Sequence, residues 1–247
     1  MNKKDTKVKI FNAGDLVVNT YFYPIANGYV MVDTGYDNSY RRVEEKMKKS
    51  GIDFSEIHYV FLTHAHDDHA GFLNELLDRH GHIKAIVSDK SVPSLKSGRI
   101  LFDGECSSIR SFLFTKLMAF SGKGEHRFPA IDDKFKNRII EITADNQAEL
   151  ETILQGKILF TPGHTEDSVS LRVNDVIFCG DAAMNSFPSK KRISILMEDK
   201  SSFQRSWELM MNESAEWLYP GHGKPFHISD LKKYINHIAR VKLYKFS

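Results

Sequence analysis

Apolar positions along the chain first recur at strand spacing. Val8 to Phe11, Leu16 to Tyr23 and Tyr29 to Val32 are rich in β-branched and aromatic residues, and Asn27-Gly28 supplies a turn between the second and third runs. The period then changes. Asp37 to Lys49 predicts a helix with Val43 and Met47 on its apolar stripe and Gly51 as its stop. Ile57 to Leu62 reads as a strand that runs straight into Thr63-His64. From Asp68 to Arg79, Phe72, Leu73, Leu76 and Leu77 stand at helical spacing, and Ile83 to Val87 predicts the next strand. This alternation predicts an α/β layered fold.

Between about residues 90 and 136 the rhythm breaks. This stretch reads as helical and irregular, and it holds six of the 17 phenylalanines: Phe102, Phe112, Phe114, Phe120, Phe128 and Phe135. It predicts a helical cap inserted into one domain spanning 1–247. Strands resume at Ile139 to Ile142, Lys157 to Thr161, Ser168 to Val173 and Val176 to Cys179. A helix near Ser202 to Met211, a short strand from Glu216 to Tyr219 and a last helix from Ser229 to about Tyr244 complete the pattern. The second half thus repeats the strand-rich, then helical character of the first.

Composition narrows the function classes. The 34 basic and 32 acidic residues leave a formal charge of +2, which gives no global reason to expect a nucleic-acid partner. No apolar run reaches the roughly 18–20 residues of a membrane-spanning helix, so no membrane partner is expected. The basic start, Met1 to Lys7, is followed by Lys9, Asn12 and Asp15, which interrupt any signal-like apolar core. Two cysteines, Cys106 and Cys179, do not make a disulfide framework, and a reducing cytoplasm is the expected location.

The unusual residue is histidine, with eleven copies. Thr63-His64-Ala65-His66-Asp67-Asp68-His69 places three histidines and a carboxylate of ligand type at the carboxyl end of an apolar strand. Imidazole and carboxylate are the usual donors for Zn²⁺ and related ions. In an extended turn His64 and His66 point the same way, whereas Asp68 and His69 open a helix and can face a second ion. Thr161-Pro162-Gly163-His164, Cys179-Gly180-Asp181 and Tyr219-Pro220-Gly221-His222 each end a further predicted strand. Open α/β sheets build their sites at such carboxyl ends.

With these residues in place, nearly the whole chain resembles the metallo-β-lactamase superfamily. Its His-x-His-x-Asp-His motif reads His64, His66, Asp68 and His69, followed in order by His164, Asp181 and His222, and Asp33 in Val32-Asp33-Thr34-Gly35 matches its first motif. The resemblance implies a four-layer αβ/βα sandwich with the metals at one edge between two sheets. It implies one ion on His64, His66 and His164, a second on Asp68, His69 and His222, and Asp181 bridging them. Zinc is expected, with iron or manganese compatible. Two such ions about 3.5–4 Å apart share a water and lower its pKa to roughly 7. Asp68 and Asp181 are then the catalytic carboxylates, and Asp33 supports the ligands.

The expected function is a metal-dependent hydrolase acting on an ester, thioester, lactone or phosphodiester of a small molecule. Members that are exported commonly carry cysteine at the Asp181 position, which disfavours antibiotic hydrolysis. Glyoxalase II-like thioesterases carry a helical C-terminal domain, whereas 25 residues follow His222 here. Lactonases place tyrosine where Met184 stands. An iron-dependent persulfide dioxygenase-like enzyme and a glyoxalase II-like thioesterase without that domain are the alternatives. Phe112 and Phe114 of the cap, and Lys190, Lys191 and Arg192 shortly after Asp181, are the candidate substrate contacts. His58, His80, His82, His126, His227 and His237 match no ligand motif and read as surface or core.

Overall fold

A computed structural model of the protein describes residues 8–101, 103–120 and 126–245. The chain opens with β1 (Phe11–Asn12), β2 (Tyr21–Ile25) and β3 (Gly28–Val32), which pair antiparallel in sequence order. Next come α1 (Tyr40–Lys49), β4 (Ile57–Phe61), the short α2 (Asp67–Ala70), α3 (Leu73–Arg79) and β5 (Lys84–Ser88). The expected cap segment holds α4 (Val92–Ser97), β6 (Glu105–Cys106) and α5 (Ile109–Met118), and leads into β7 (Ile139–Ile142). The first sheet has the order β1-β2-β3-β4-β5-β7, with parallel pairing from β3 through β7.

The second half supplies α6 (Gln147–Leu154), β8 (Lys157–Phe160), β9 (Val169–Val173), β10 (Val176–Gly180) and β11 (Leu196–Met197). It ends with α7 (Lys200–Met211), β12 (Trp217–Pro220), β13 (Phe226–His227) and α8 (Ser229–Tyr234). Its sheet has the order β13-β12-β10-β9-β8, and β11 pairs instead with β6 of the cap segment.

Side-chain alternation along the strands makes the layers. Tyr21, Tyr23, Val30 and Val32 face the second sheet and meet Val176 and Phe178 there. Phe22 and Met31, at the intervening positions, turn to the opposite face and join Val43, Met47, Leu73 and Leu76 of α1 and α3. On the second sheet Ile177 and Leu218 face Phe203, Trp207 and Met210 of α7. Strands buried on both faces read as continuous apolar runs, which explains why they stand out in the sequence. The result is the expected αβ/βα sandwich.

Several elements differ from expectation. Leu16 to Thr20 is not strand: the Asp15 carboxylate accepts the backbone N–H groups of Val17 and Val18, turns the chain, and leaves Leu16 and Val17 in solvent. The helix expected from Asp68 to Arg79 is two helices, split where Gly71 packs against the backbone of Gly35 and Asp37. Helix α6 has no counterpart in the sequence reading. The last helix ends at Tyr234 and continues as a 3₁₀ turn over Ile235–Arg240. The cap phenylalanines disperse. Phe128 and Phe135 join the core under the first sheet, Phe112 and Phe114 are half-buried, and Phe120 is exposed. Phe102 lies outside the described residues.

Candidate metal centre

Four strand ends bring the site together. His64 and His66 lie in the turn after β4, Asp68 and His69 on α2, His164 past β8, Asp181 directly after β10 and His222 after β12. Their donor atoms form three groups, each within 4.8 Å: His64, His66 and His164; His64, His69 and Asp181; Asp68, His69 and His222. All are buried except Asp68, which is partly exposed. Gly221 permits this convergence, because a Cβ there would stand 2.4 Å from the His69 ring and 2.7 Å from Asp181. Gly180, at φ +48°, likewise lets the backbone approach Thr63, whose Oγ1 would be 2.5 Å from a Cβ.

For His64, His69, His164 and His222, the outer nitrogen fixes where the inner one points. His69 Nδ1 contacts Asp33 Oδ2 at 2.8 Å, His164 Nδ1 contacts the Leu196 carbonyl at 2.9 Å, and His222 Nδ1 contacts the Val17 carbonyl at 2.7 Å. These acceptors require N–H at Nδ1 and therefore leave a lone pair on Nε2 of a neutral ring. His64 is held at one remove: its Nδ1 lies 3.0 Å from Thr63 Oγ1, which itself donates to Asp33 Oδ2 at 2.8 Å. Asp33 also accepts the Thr63 backbone N–H at 2.8 Å. One carboxylate thus orients His64 and His69 together, from a backbone held at φ +58°. A residue other than glycine in that region is strained, as is common at functional sites. The His64–His66 turn has its own anchor, since Asp167 Oδ2 accepts from Ala65 N and from Ser91 Oγ.

The carboxylates sit among the rings. Asp181 Oδ1 lies 3.6 Å from His69 Nε2, and its Oδ2 lies 3.7 Å from His164 and 3.5 Å from His222. It therefore stands between the two halves of the cluster. Asp68 Oδ2 is 3.0 Å from His222 Nε2 and its Oδ1 is 3.7 Å from His69 Nε2. Burial raises the Asp68 carboxyl, but His69 and His222 outweigh it and hold the group ionised. Burial also disfavours charge on His69 and His222; Asp33 and Asp68 nevertheless push His69 up to about 10, and Asp181 and Asp68 push His222 up to about 9. His64, His66 and His164 are pushed down, chiefly by burial. Without an ion, protons supply the positive charge that the carboxylates demand.

This donor set fits divalent metal. Nε2 of His64, Nε2 of His69 and Oδ1 of Asp181 are buried and make no hydrogen bond. Such atoms are costly unless something else occupies their lone pairs. His66 Nδ1 and His164 Nε2 face each other at 3.2 Å. Two ligands each about 2.0–2.1 Å from one tetrahedral ion stand roughly 3.3 Å apart.

The other expected contacts are scattered. Phe112 packs on Tyr244 with ring centroids 6.3 Å apart, and Phe114 packs edge-on against Phe187 at 5.7 Å. Arg192 pairs with Asp230 at 2.8 Å and covers the Phe226 ring. Lys190 and Lys191 are exposed in the preceding turn. Sequence reasoning missed Thr63 and the carbonyls of Val17 and Leu196. It also missed Tyr36, a partly buried phenol kept protonated by burial and by Asp68 and Asp67. Asp67 itself lies 3.3 Å from His126.

A cavity of about 490 Å³ opens beside His66. Among the described residues, Asp103, Glu166, Asp167, Glu198 and Asp199 line it, against a single lysine, Lys90, which pairs with Glu166 at 2.5 Å. Burial raises the Glu198 carboxyl to about 6, against backbone N–H groups that lower it.

Comparison with known proteins agrees with this geometry. The chain is 26% identical over 223 residues to a beta-lactamase-like protein 2 homolog of Caenorhabditis elegans; the match takes in 89% of this chain and 61% of that protein. It spans 63% of the corresponding Drosophila melanogaster protein, so it covers about three-fifths of the length of these relatives. A probable metallo-hydrolase of Methanocaldococcus jannaschii is 25% identical, with 85% of this chain and 92% of that protein matched. Among solved structures, a B3 metallo-beta-lactamase with an active-site glutamic acid superposes with a TM-score of 0.63 at 17% identity, over 94% of this chain and 85% of the other. The family model of the metallo-beta-lactamase superfamily matches residues 13–222, and the chain belongs to that superfamily.

Proposed function

We propose that the protein is a dinuclear metal-dependent hydrolase, with zinc as its metal, acting on a neutral ester, thioester or lactone. The observation that carries this reading is the convergence of inward-facing donors from five imidazoles, Asp68 and Asp181 on one buried point between the sheets. In it, His64, His66 and His164 hold one ion, Asp68, His69 and His222 hold the other, and Asp181 serves both. When bound, two such ions acidify a water and polarise a substrate oxygen. The protein's own groups do the rest. Asp33 keeps His64 and His69 turned inward, and the Leu196 and Val17 carbonyls do the same for His164 and His222. Asp68, whose carboxylate His69 and His222 hold ionised, would take up the proton that the attacking water gives up.

The acidic cavity beside His66 narrows the substrate. Among the described residues of that cavity, a phosphodiester brings a negative charge toward five carboxylates and one already paired lysine, whereas a neutral carbonyl substrate does not. Elemental analysis of protein purified without chelator is expected to give about two zinc ions per chain. The zinc-loaded protein is expected to hydrolyse p-nitrophenyl acetate faster than bis(p-nitrophenyl) phosphate. A single iron per chain with oxygen consumption would overturn the reading.

A further inference from the structure

The cavity beside His66, at about 490 Å³, has the size of a small-molecule site. Its walls carry an unbalanced charge. Among the described residues, Glu166 is the one carboxylate there that pairs with a cation of the cavity, Lys90. The others meet neutral donors. Asp167 accepts from the Ala65 N–H and the Ser91 hydroxyl, and Glu198 accepts the backbone N–H of Glu166. Asp199 caps α7 by accepting the N–H groups of Ser201 and Ser202, with Arg205 no nearer than 3.9 Å. Beyond the effect of burial, Asp167 and Glu166 repel the Glu198 charge. Like charges held together in this way favour a cation among them.

The acidic wall is built onto the metal centre. Glu166 and Asp167 follow His164 in the chain, and Glu198 donates its N–H to the His164 carbonyl at 3.2 Å. Leu196, two residues before Glu198, holds the His164 ring. His66, another of the converging donors, is itself part of the cavity wall. The centre calls for a ligand independently of the acids, because Nε2 of His64, Nε2 of His69 and Oδ1 of Asp181 are buried and make no hydrogen bond. A molecule that fills the cavity therefore meets the centre at His66 and the carboxylates at the same time.

Spacing decides which kind of cation fits. A small divalent ion gathers several oxygens onto one point. Among the described residues, no three of the cavity carboxylates bring donor atoms within 4.8 Å of one another. Their charge is spread around a space instead of being focused on an ion. The same wall is also partly apolar, through Pro93, Ile100, Leu101 and Pro162. An ammonium group on a carbon skeleton meets both features, because the apolar surface takes the skeleton and the dispersed carboxylates take the charge.

We infer that the cavity beside His66 seats an organic cation, the ammonium-bearing part of the substrate whose acyl bond the metal centre opens. The inference rests on the hydrolase reading for the step at the metals. The scissile carbonyl group stays neutral, and the positive charge belongs to the group attached to it. Binding and turnover test the two separately. Choline and 3,3-dimethylbutan-1-ol have the same shape and differ in charge, and the quaternary nitrogen of choline has no lone pair for a metal. Isothermal titration of the metal-loaded protein is expected to show roughly tenfold tighter binding of choline, with the difference shrinking at about 1 M salt. Glu198→Gln and Asp103→Asn, on separate segments, are each expected to cut that preference by roughly threefold to tenfold. A merely structural role would weaken both alcohols alike and leave the ratio unchanged. In turnover, the acetate ester of choline is expected to have a KM roughly tenfold below that of 3,3-dimethylbutyl acetate. Equal affinity for the two alcohols, or a preference that neither substitution reduces, overturns the inference even where p-nitrophenyl acetate is hydrolysed. Preferential binding of choline with no ester hydrolysed overturns the hydrolase reading and leaves the cation site standing. A third divalent ion per chain that Glu198→Gln loses assigns the carboxylates to a metal and overturns the inference as well.

Discussion

Strand β4 has a histidine near each end, and the two ends treat imidazole differently. At the amino end, His58 and His82 stand with ring centroids 6.2 Å apart, as do His80 and His82. Two of them have ordinary occupations: His82 Nε2 contacts the Phe54 carbonyl at 3.2 Å, and His80 Nε2 contacts the Tyr40 hydroxyl at 2.8 Å. At the carboxyl end, the His64 ring lies 4.1 Å from His69, 4.5 Å from His66 and 4.9 Å from His164. Rings this close and this buried repel one another when protonated and leave inward lone pairs unmet when neutral. They make sense around a cation. The difference lies in what turns the nitrogens, since a carboxylate or carbonyl behind Nδ1 converts a histidine into an inward donor.

Removing negative charge from the centre breaks this contrast most strongly. Asp181→Asn keeps the shape but removes the charge that faces His69, His164 and His222 at once. A loss of metal affinity and turnover beyond the roughly hundredfold upper range of outer-shell substitutions is expected. Metal content and steady-state rates check it. If Asp181→Asn holds two ions and turns over normally, Asp181 does not serve both.

Asp33→Asn tests the support behind the rings. Asp33 reaches His69 directly and His64 through Thr63, so both ion sites are expected to weaken by about 10–100-fold. Thr63→Val keeps the His69 contact and is expected to spare the His69 side. Isothermal titration of metal into the two variants separates these effects. Equal weakening of both sites in Thr63→Val would remove the claim that the two rings are held separately.

These supports also mark how far the sequence could be read. His64, His66, Asp68, His69, His164, Asp181, His222 and Asp33 were legible because each sits in a short motif after an apolar strand. The carbonyls of Val17 and Leu196 were not, since any residue can present one and only the folded chain shows which ring it meets. The strand expected over Leu16 to Thr20 failed for a related reason. Apolar Leu16 and Val17 follow strand composition, but the Asp15 side chain captures their neighbouring N–H groups and turns them outward. Helix α6 escaped notice because eight residues carry too little periodicity, and Leu150 and Leu154 alone mark its buried face. The cap phenylalanines looked like one wall because composition counts residues without saying which way they face.

A smaller effect is expected in the acidic cavity beside the centre. Glu198 has its carboxyl raised by burial to about 6. Its ionised form therefore costs folding free energy that is fully present above pH 6 and is relieved as pH falls through 6 toward the ordinary carboxylate range. Glu198→Gln removes that cost, and about 1 kcal/mol, discounted for partial solvent access, is the expected gain at pH 7.5. For a chain of this size that is a rise of roughly 2–4 °C in Tm. The gain is expected to vanish in melts near pH 4.5, where wild-type Glu198 is already neutral. A gain that stays constant across pH would point to packing.

The smallest effect is expected at the amino end of the same sheet, and it tests the comparison from the other side. His82 is exposed, and its one hydrogen bond to the Phe54 carbonyl is long at 3.2 Å. Deleting the ring by His82→Ala leaves a carbonyl that water can reach, so a stability change within about 0.5 kcal/mol is expected. Metal stoichiometry and turnover should match wild type, because His82 and the centre are at opposite ends of β4 and β5 and share no partner. If His82→Ala instead removes an ion, histidines at the amino end bind metal despite their spacing. Ring orientation by a buried acceptor would then no longer separate the two ends of the strand.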